Sequence, residues 1–315
     1  MNTGSGLRWG NLVHLSFNMW SDRQGKDAYM PAKAHLQFDD NLWEEMLREM
    51  VKAGVNMVVL DLGDGIRYES HPEISVKGAW SPARLRRELE RMRRMGIEPI
   101  PKMNFSACHD HWLGPYSRRV STPEYYKACA DLIAEAIRLF GRPRLFHLGL
   151  DEETSRHQKT FRYVVVRQHD LWWHDFHFFR RQVARHGVRP WIWSDYVWNH
   201  PKEFYREVPR SVLQSNWYYA ASFSPKVPYV KAYLDLNRRG YDQIPTGTAL
   251  IAEDWAVRDS FPRTVRFCAK HIPRRLLKGF LQTLWMPTTR DRRREHLAAI
   301  GQIRKGIEIW RKPAR

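Results

Sequence analysis

The chain has 315 residues, 43% of them hydrophobic, and its 52 Lys and Arg against 34 Asp and Glu give a formal charge of +18. That hydrophobic fraction excludes a disordered chain and suits one large core, and α/β barrels commonly run to this length as a single domain. No run of about 18 apolar residues is present to cross a bilayer, and the opening MNTGSGLRWG has no apolar secretory core.

A chain without a membrane span is therefore expected, its compartment left open between the cytoplasm and a secreted or periplasmic location. The three cysteines, Cys108, Cys129 and Cys268, are odd in number and widely spaced, which argues against a disulfide framework. Much of the positive charge lies in RLRRELERMRRMG from Arg84, IPRRLLKG from Ile272 and RDRRREHL from Arg290. There it decorates the polar faces of helix-period segments. Solvated helix faces explain most of it; the functional alternative is attraction to an anionic polymer, an acidic glycan or nucleic acid. Zinc-finger spacing, an RNP-like strand and a KH-type loop are all missing, which speaks against nucleic acid.

In chain order, NLVHLSFNM from Asn11 reads as the first strand, followed by a helix over Asp40 to Ala53 that Gly54 ends. VNMVVLDL from Val55 is the second strand, and Ser81 with Pro82 opens a helix that Gly96 stops. Ile97 to Phe105 is the third strand, and Ser121, Thr122 and Pro123 open a helix running to Phe140. RLFHLGL is the fourth strand, followed by a helix over Gln168 to His186. VRPWIWS, SVLQSNW, YDQIPTGT and GFLQTLW supply the remaining strands, alternating with helices over Pro201 to Val208, Val227 to Arg239, Phe261 to His271 and Arg292 to Trp310. Eight strand-then-helix units without a linker predict one (β/α)₈ TIM barrel spanning residues 1–315.

In such a barrel the chemistry sits just beyond the C-terminal ends of the strands. Here those positions hold Asn18 and Trp20; Asp61 and Asp64; Asn104 and His109; Asp151 and Glu152; Trp193 and Asp195; Asn216, Trp217, Tyr218 and Tyr219; Glu253, Asp254 and Trp255; and Trp285. Aromatic faces beside acids and amides suit a carbohydrate, whose C–H faces pack on rings while its hydroxyls need fixed partners. The run LFHLGLDEETSRH raises the sharpest question, because three adjacent acids, Asp151, Glu152 and Glu153, repel one another unless something compensates. Acids decorating a helix N-terminus would produce the same triplet.

HLGLDEE resembles the H-x-G-G-D-E signature of family 20 of the glycoside hydrolases, the β-N-acetylhexosaminidases, with His147, Gly149, Asp151 and Glu152 matching and Leu150 replacing the second glycine. IPKMNFSACH is similar to that family's I-P-E-I-D-x-P-G-H, with Pro101 and His109 aligned, and PWIWSDYVW, NWYY and TLW resemble its later strand ends. The departures are specific: Pro287 stands where the family's eighth strand leads to a substrate-holding Glu, the YLD at Tyr233 falls on a helix, and DLGDGIRYES keeps only Asp61 and Asp64 as loose counterparts.

The resemblance implies a retaining, exo-acting enzyme in which the substrate's own acetamido oxygen attacks, an exception to the two-carboxylate scheme. It assigns Glu152 as general acid/base and Asp151 as the group orienting the acetamido N–H. It also implies that Tyr218 or Tyr219 meets the acetamido oxygen, that Trp193, Trp217 and Trp285 wall the sugar, and that no cofactor is needed. Asp61, Asp64, His109, His147, Asp195 and Trp255 complete the expected substrate-binding set. Glu153 is expected to pair with an Arg. The Cys108-His109-Asp110-His111 run is too crowded for a structural zinc site, so no metal is expected. Two alternatives stay open: a two-carboxylate glycosidase pairing Glu152 with Asp195 or Glu253, and a non-catalytic barrel that binds glycan or polyanion.

Overall fold

A computed structural model describes residues 6–24, 30–249 and 256–312. Eight parallel strands are ordered β6-β5-β4-β3-β2-β1-β8-β7. They are β1 (Arg8–His14), β2 (Met57–Asp61), β3 (Glu98–Lys102), β4 (Leu145–His147), β5 (Arg189–Trp193), β6 (Leu213–Ser215), β7 (Thr246–Thr248) and β8 (Gly279–Thr283). Isolated parallel bridges, Gln214 to Gln243 and Trp217 to Thr246, close the seam between β6 and β7. The expected (β/α)₈ barrel is the observed fold.

The helices are α1 (Asp40–Ala53), α2 (Pro82–Arg94), α3 (Pro123–Leu139), α4 (Asp170–Ala184), α5 (Tyr196–Asn199), α6 (Pro201–Glu207), α7 (Pro228–Arg238), α8 (Ser260–His271) and α9 (Arg293–Arg311). Their starts follow from local chemistry. The Asp39 carboxylate accepts from the Leu42 N–H, the Ser81 hydroxyl from Arg84 and the Thr122 hydroxyl from Tyr125, and the last two caps are followed by Pro at the first helical position. The short α5 was not foreseen. Strands predicted at seven or more residues shrink to three at β4, β6 and β7: at β4 and β6 residues 148–150 and 216–217 belong to the loops beyond the strand, whereas at β7 the lost residues, 241–245, precede it. No helix among the described residues is long and apolar enough to cross a membrane.

The pleat stacks the barrel interior in layers. Leu12, Val59 and Ile100 are register partners inside a small apolar core that also holds Leu145 and Trp191. Two residues further along, the same face carries His14, Asp61, Lys102 and His147, again in register. A polar layer thus lies between the apolar plug and the strand ends. The larger core fills the space between sheet and helices.

Candidate active site

Beyond β4 the backbone turns through an unusual path. Gly149, Leu150 and Glu152 all have left-handed φ, at 71°, 68° and 56°, a conformation that costs a non-glycine residue roughly 1–3 kcal/mol. Gly149 has no substitute here: a Cβ on it would stand 2.0 Å from Asn104 Oδ1. That oxygen accepts from the Leu150 and Ser106 N–H groups at 3.2 and 3.1 Å. The amide side of Asn104 then donates to Asp151 Oδ1 at 2.8 Å.

This path sends the three acids to three different environments. Asp151 is buried, with the His109 ring 3.4 Å from its Oδ1. Burial pushes its carboxyl up, but the charge and hydrogen bond of His109, the Lys102 charge and the Asn104 amide outweigh it and hold the group well below the usual carboxylate range. Glu152 keeps 28% of its side chain exposed, between His109 Nε2 and His157 Nε2, each 3.7 Å from a carboxylate oxygen. Glu153 turns away and is buried against Arg167, whose Nε donates to it at 2.7 Å. It also accepts from the Ala107 N–H at 3.0 Å. Its expected Arg partner is thus present.

Asp195, at the end of β5, accepts the Glu152 N–H at 2.8 Å through Oδ2, while its buried Oδ1 has no partner among the described residues. Burial and the neighbouring Asp151 charge push this carboxyl well above its ordinary range, toward the neutral acid. His109 moves the other way from what burial favours: desolvation lowers it, but the Asp151 and Glu152 charges win and raise it.

Aromatic rings surround these groups. Trp285 lies 6.0 Å from Trp193 and 6.2 Å from Trp20 between ring centroids, and Trp20 stands edge-on to His109 at 5.9 Å. The Trp285 Nε1–H donates to the Tyr219 hydroxyl at 3.2 Å, and Tyr219 stacks on Trp217. Tyr218 points the opposite way, as the pleat requires of its neighbour, and packs with Tyr229 and Phe223 toward the helices. Of the two candidate tyrosines, only Tyr219 shares the face of the acids.

Other expected residues sit deeper or elsewhere. Asp61 lies in the polar layer, held by Lys102 at 2.6 Å and His14 at 3.1 Å. Asp64 is taken by the Ser16 hydroxyl and by the Asn18 amide at 2.8 Å, bracing the loop after β1. His147 is buried between Trp191 and Trp193 and accepts the Gly149 N–H at 3.0 Å, so it supports the turn from below. Burial and the Lys102 charge hold it well below its usual pKa, as neutral imidazole. Trp255, and with it Glu253, falls outside the described residues. The Cys108-to-His111 run disperses: Cys108 donates to the Glu152 carbonyl, Asp110 pairs with Arg118, and His109 meets Asp151 and Glu152. Among the described residues, His109, Asp151 and Glu152 form the group whose spacing could hold a metal, with ligand atoms within 4.8 Å of one another.

Sequence reasoning placed Asn104 and Trp20 at strand ends without giving them a role, and passed over His14, Lys102 and His157. The only advance signal for Lys102 was its place where the resembling motif has Glu.

No protein-family model matches the chain, and no curated protein matches it. Solved structures do match. The family 20 exo-β-N-acetylglucosaminidase of Vibrio harveyi superposes with a TM-score of 0.65 at 13% identity, covering 94% of this chain but 54% of that one. The fold is one that family 20 glycoside hydrolases also use. The β-hexosaminidase of Streptomyces plicatus, solved with its product GlcNAc, matches at TM-score 0.62 and 13% identity over 93% of this chain and 62% of that one. Dispersin B matches at 0.58 and 12% identity, over 94% of this chain and 98% of its own. At such identities the likeness is one of fold, and this chain spans about half of the first structure it matches.

Proposed function

We propose that the protein is a retaining, exo-acting glycoside hydrolase of the β-N-acetylhexosaminidase kind, working by substrate assistance. The observation that carries this reading is the split between adjacent acids: Asp151 buried and held ionised by Asn104 and His109, Glu152 partly exposed beside two histidines. Substrate-assisted hydrolysis needs one permanent anion and one group that exchanges a proton. Asp151 accepts the acetamido N–H, turning the acetamido oxygen onto the anomeric carbon. That oxygen forms the new C–O bond as the glycosidic bond breaks, and Glu152 gives its proton to the leaving oxygen. Glu152, now a carboxylate, takes a proton from water as the water opens the oxazolinium ring, restoring the acetamide with net retention. Tyr219 donates to the acetamido oxygen, and Trp193, Trp285 and Trp20 pack on the sugar. The matches to hexosaminidase barrels support this reading.

For the alternative scheme Asp195 is a poor nucleophile, because its surroundings favour the neutral acid and its Oδ2 already accepts the Glu152 N–H.

The test is a chromogenic panel of β-N-acetylglucosaminide, β-N-acetylgalactosaminide, β-glucoside and β-galactoside, with wild type beside Glu152→Gln and with EDTA present. The expected result is turnover of acetamido sugars only, insensitive to chelator, and down by a factor of about 10² or more in the variant. Turnover confined to plain glycosides would sink substrate assistance. Loss of activity in EDTA would make the His109, Asp151 and Glu152 group a metal centre instead.

A further inference from the structure

The segment between β4 and α4 begins with the catalytic acids and runs from Thr154 to His169 without one Asp or Glu. It is a fixed platform. The buried Gln158 side chain exchanges hydrogen bonds with both the N–H and the carbonyl of Val165, at 2.9 and 2.7 Å. The loop is also fastened across the strand ends to the segment after β1: Ser21 donates to the Thr160 carbonyl at 2.8 Å, and Thr160 to the Trp20 carbonyl at 2.7 Å. Since Trp20 stands against His109, the platform borders the site on its outer side.

This border is cationic and carries an aromatic face. Arg23, Arg156, Lys159 and Arg162 are exposed, and none forms an ion pair with a described residue. Asp22, which accepts the Arg162 N–H at 2.9 Å, is the carboxylate beside them. Tyr163 is 56% exposed, and the Arg118 guanidinium lies 5.5 Å from its ring centroid while donating to its carbonyl. Exposed cations occur on the helix faces as well, some of them paired with acids of neighbouring helices, as Arg91 is with Glu44 and Arg293 with Glu45. What sets this group of cations apart is its place: His157, in the same segment, has its Nε2 3.7 Å from the Glu152 carboxylate.

We propose that this rim is the leaving-group subsite, and that it selects a glycan whose residue next to the cleaved bond is anionic, a uronic acid or a sulfated sugar. The proposal rests on the hydrolase reading above. The Tyr163 ring supplies a stacking face for that residue, and the cations meet its charge outside the pocket, where they aid capture without entering the chemistry.

The experiment compares two disaccharides sharing a non-reducing β-linked N-acetylglucosamine, one with glucuronate and one with glucose at the reducing end. The wild type should show kcat/KM about tenfold higher for the glucuronate compound at low ionic strength. The advantage should vanish near 1 M salt, where screening falls to about 3 Å. The triple variant Arg156→Gln, Lys159→Gln, Arg162→Gln should lose it as well, while keeping wild-type turnover of the uncharged chromogenic acetamido substrate. Equal kcat/KM for the two disaccharides, or an advantage that survives the triple variant, overturns the subsite and leaves the hydrolase reading intact. If neither disaccharide is cleaved, calorimetric binding of both to Glu152→Gln decides the subsite separately: a salt-sensitive preference for the glucuronate compound supports it, and equal binding removes it. Single-stranded RNA competing as well as the anionic disaccharide would also overturn it, marking the rim as a general polyanion surface.

Discussion

At the scale of single residues, a carboxyl group's role here follows from what reaches it. Asp151 and Asp195 both lie buried in one site, yet one is held as an anion and the other driven toward the acid, because Asn104 and His109 face Asp151 while Asp195 meets burial and the Asp151 charge with only backbone N–H groups, that of Glu152 among them, to offset them. Asp151 and Glu152 were legible in the chain because the motif is continuous. Asn104 was not, since its partner is 47 positions away and only the fold brings them together. Asp64 gives a test of such environments. Burial raises its pKa to about 6, despite hydrogen bonds from Ser16 and Asn18. An acid raised on folding favours the protonated form, so its contribution is present below the unfolded value near 4 and is lost as pH rises through about 6. Relative to Asp64→Asn, the wild type should lose on the order of 3 kcal/mol between about pH 4 and pH 7. Urea melts at both pH values measure this; parallel losses in the two proteins would refute the assignment.

At the scale of elements, the loop after β4 explains why the chain places a third acid where the proposed chemistry uses two. Glu153 binds Arg167, and Arg167 also reaches Asp175 on α4 at 2.9 Å and the Phe105 carbonyl after β3 at 2.9 Å. One buried guanidinium thereby ties three segments together and holds the left-handed turn at Glu152. The sequence predicted an Arg partner but not which, because a loop of this kind has no periodicity to read. Arg167→Met should destabilise the fold by about 3–5 kcal/mol, since it strands two buried carboxylates. Adding Glu153→Gln and Asp175→Asn should recover part of that, and a triple variant no more stable than Arg167→Met in thermal melts would show that the network is not the cause. The same reasoning explains Leu150, where the resembling motif has a second glycine: the left-handed turn persists, and its buried side chain packs in the outer core in compensation.

For the whole molecule, the pattern of strands and capped helices made the barrel readable, whereas its internal polar layer was hidden. Each of its members looks ordinary in its own strand, and only closure brings them into register. Lys102 is fully buried against Asp61, with His14 on the same carboxylate. Burial alone would raise Asp61, but the Lys102 charge and the His14 hydrogen bond outweigh it and keep it lowered. The pair's stabilisation is therefore present above the usual Asp range and lost as pH falls through the depressed value. Lys102 also helps keep Asp151 ionised from one layer below, so the charge layer bears on both the fold and the proposed chemistry. Lys102→Met should cost about 3–5 kcal/mol, because Asp61 is left charged and buried, whereas Lys102→Met with Asp61→Asn should return most of that stability. Activity separates the two roles: if the layer also supports Asp151, the refolded double variant stays slow and its acidic kcat/KM limb moves to higher pH. A double variant with wild-type stability and an unshifted pH profile would confine Lys102 to holding the barrel together.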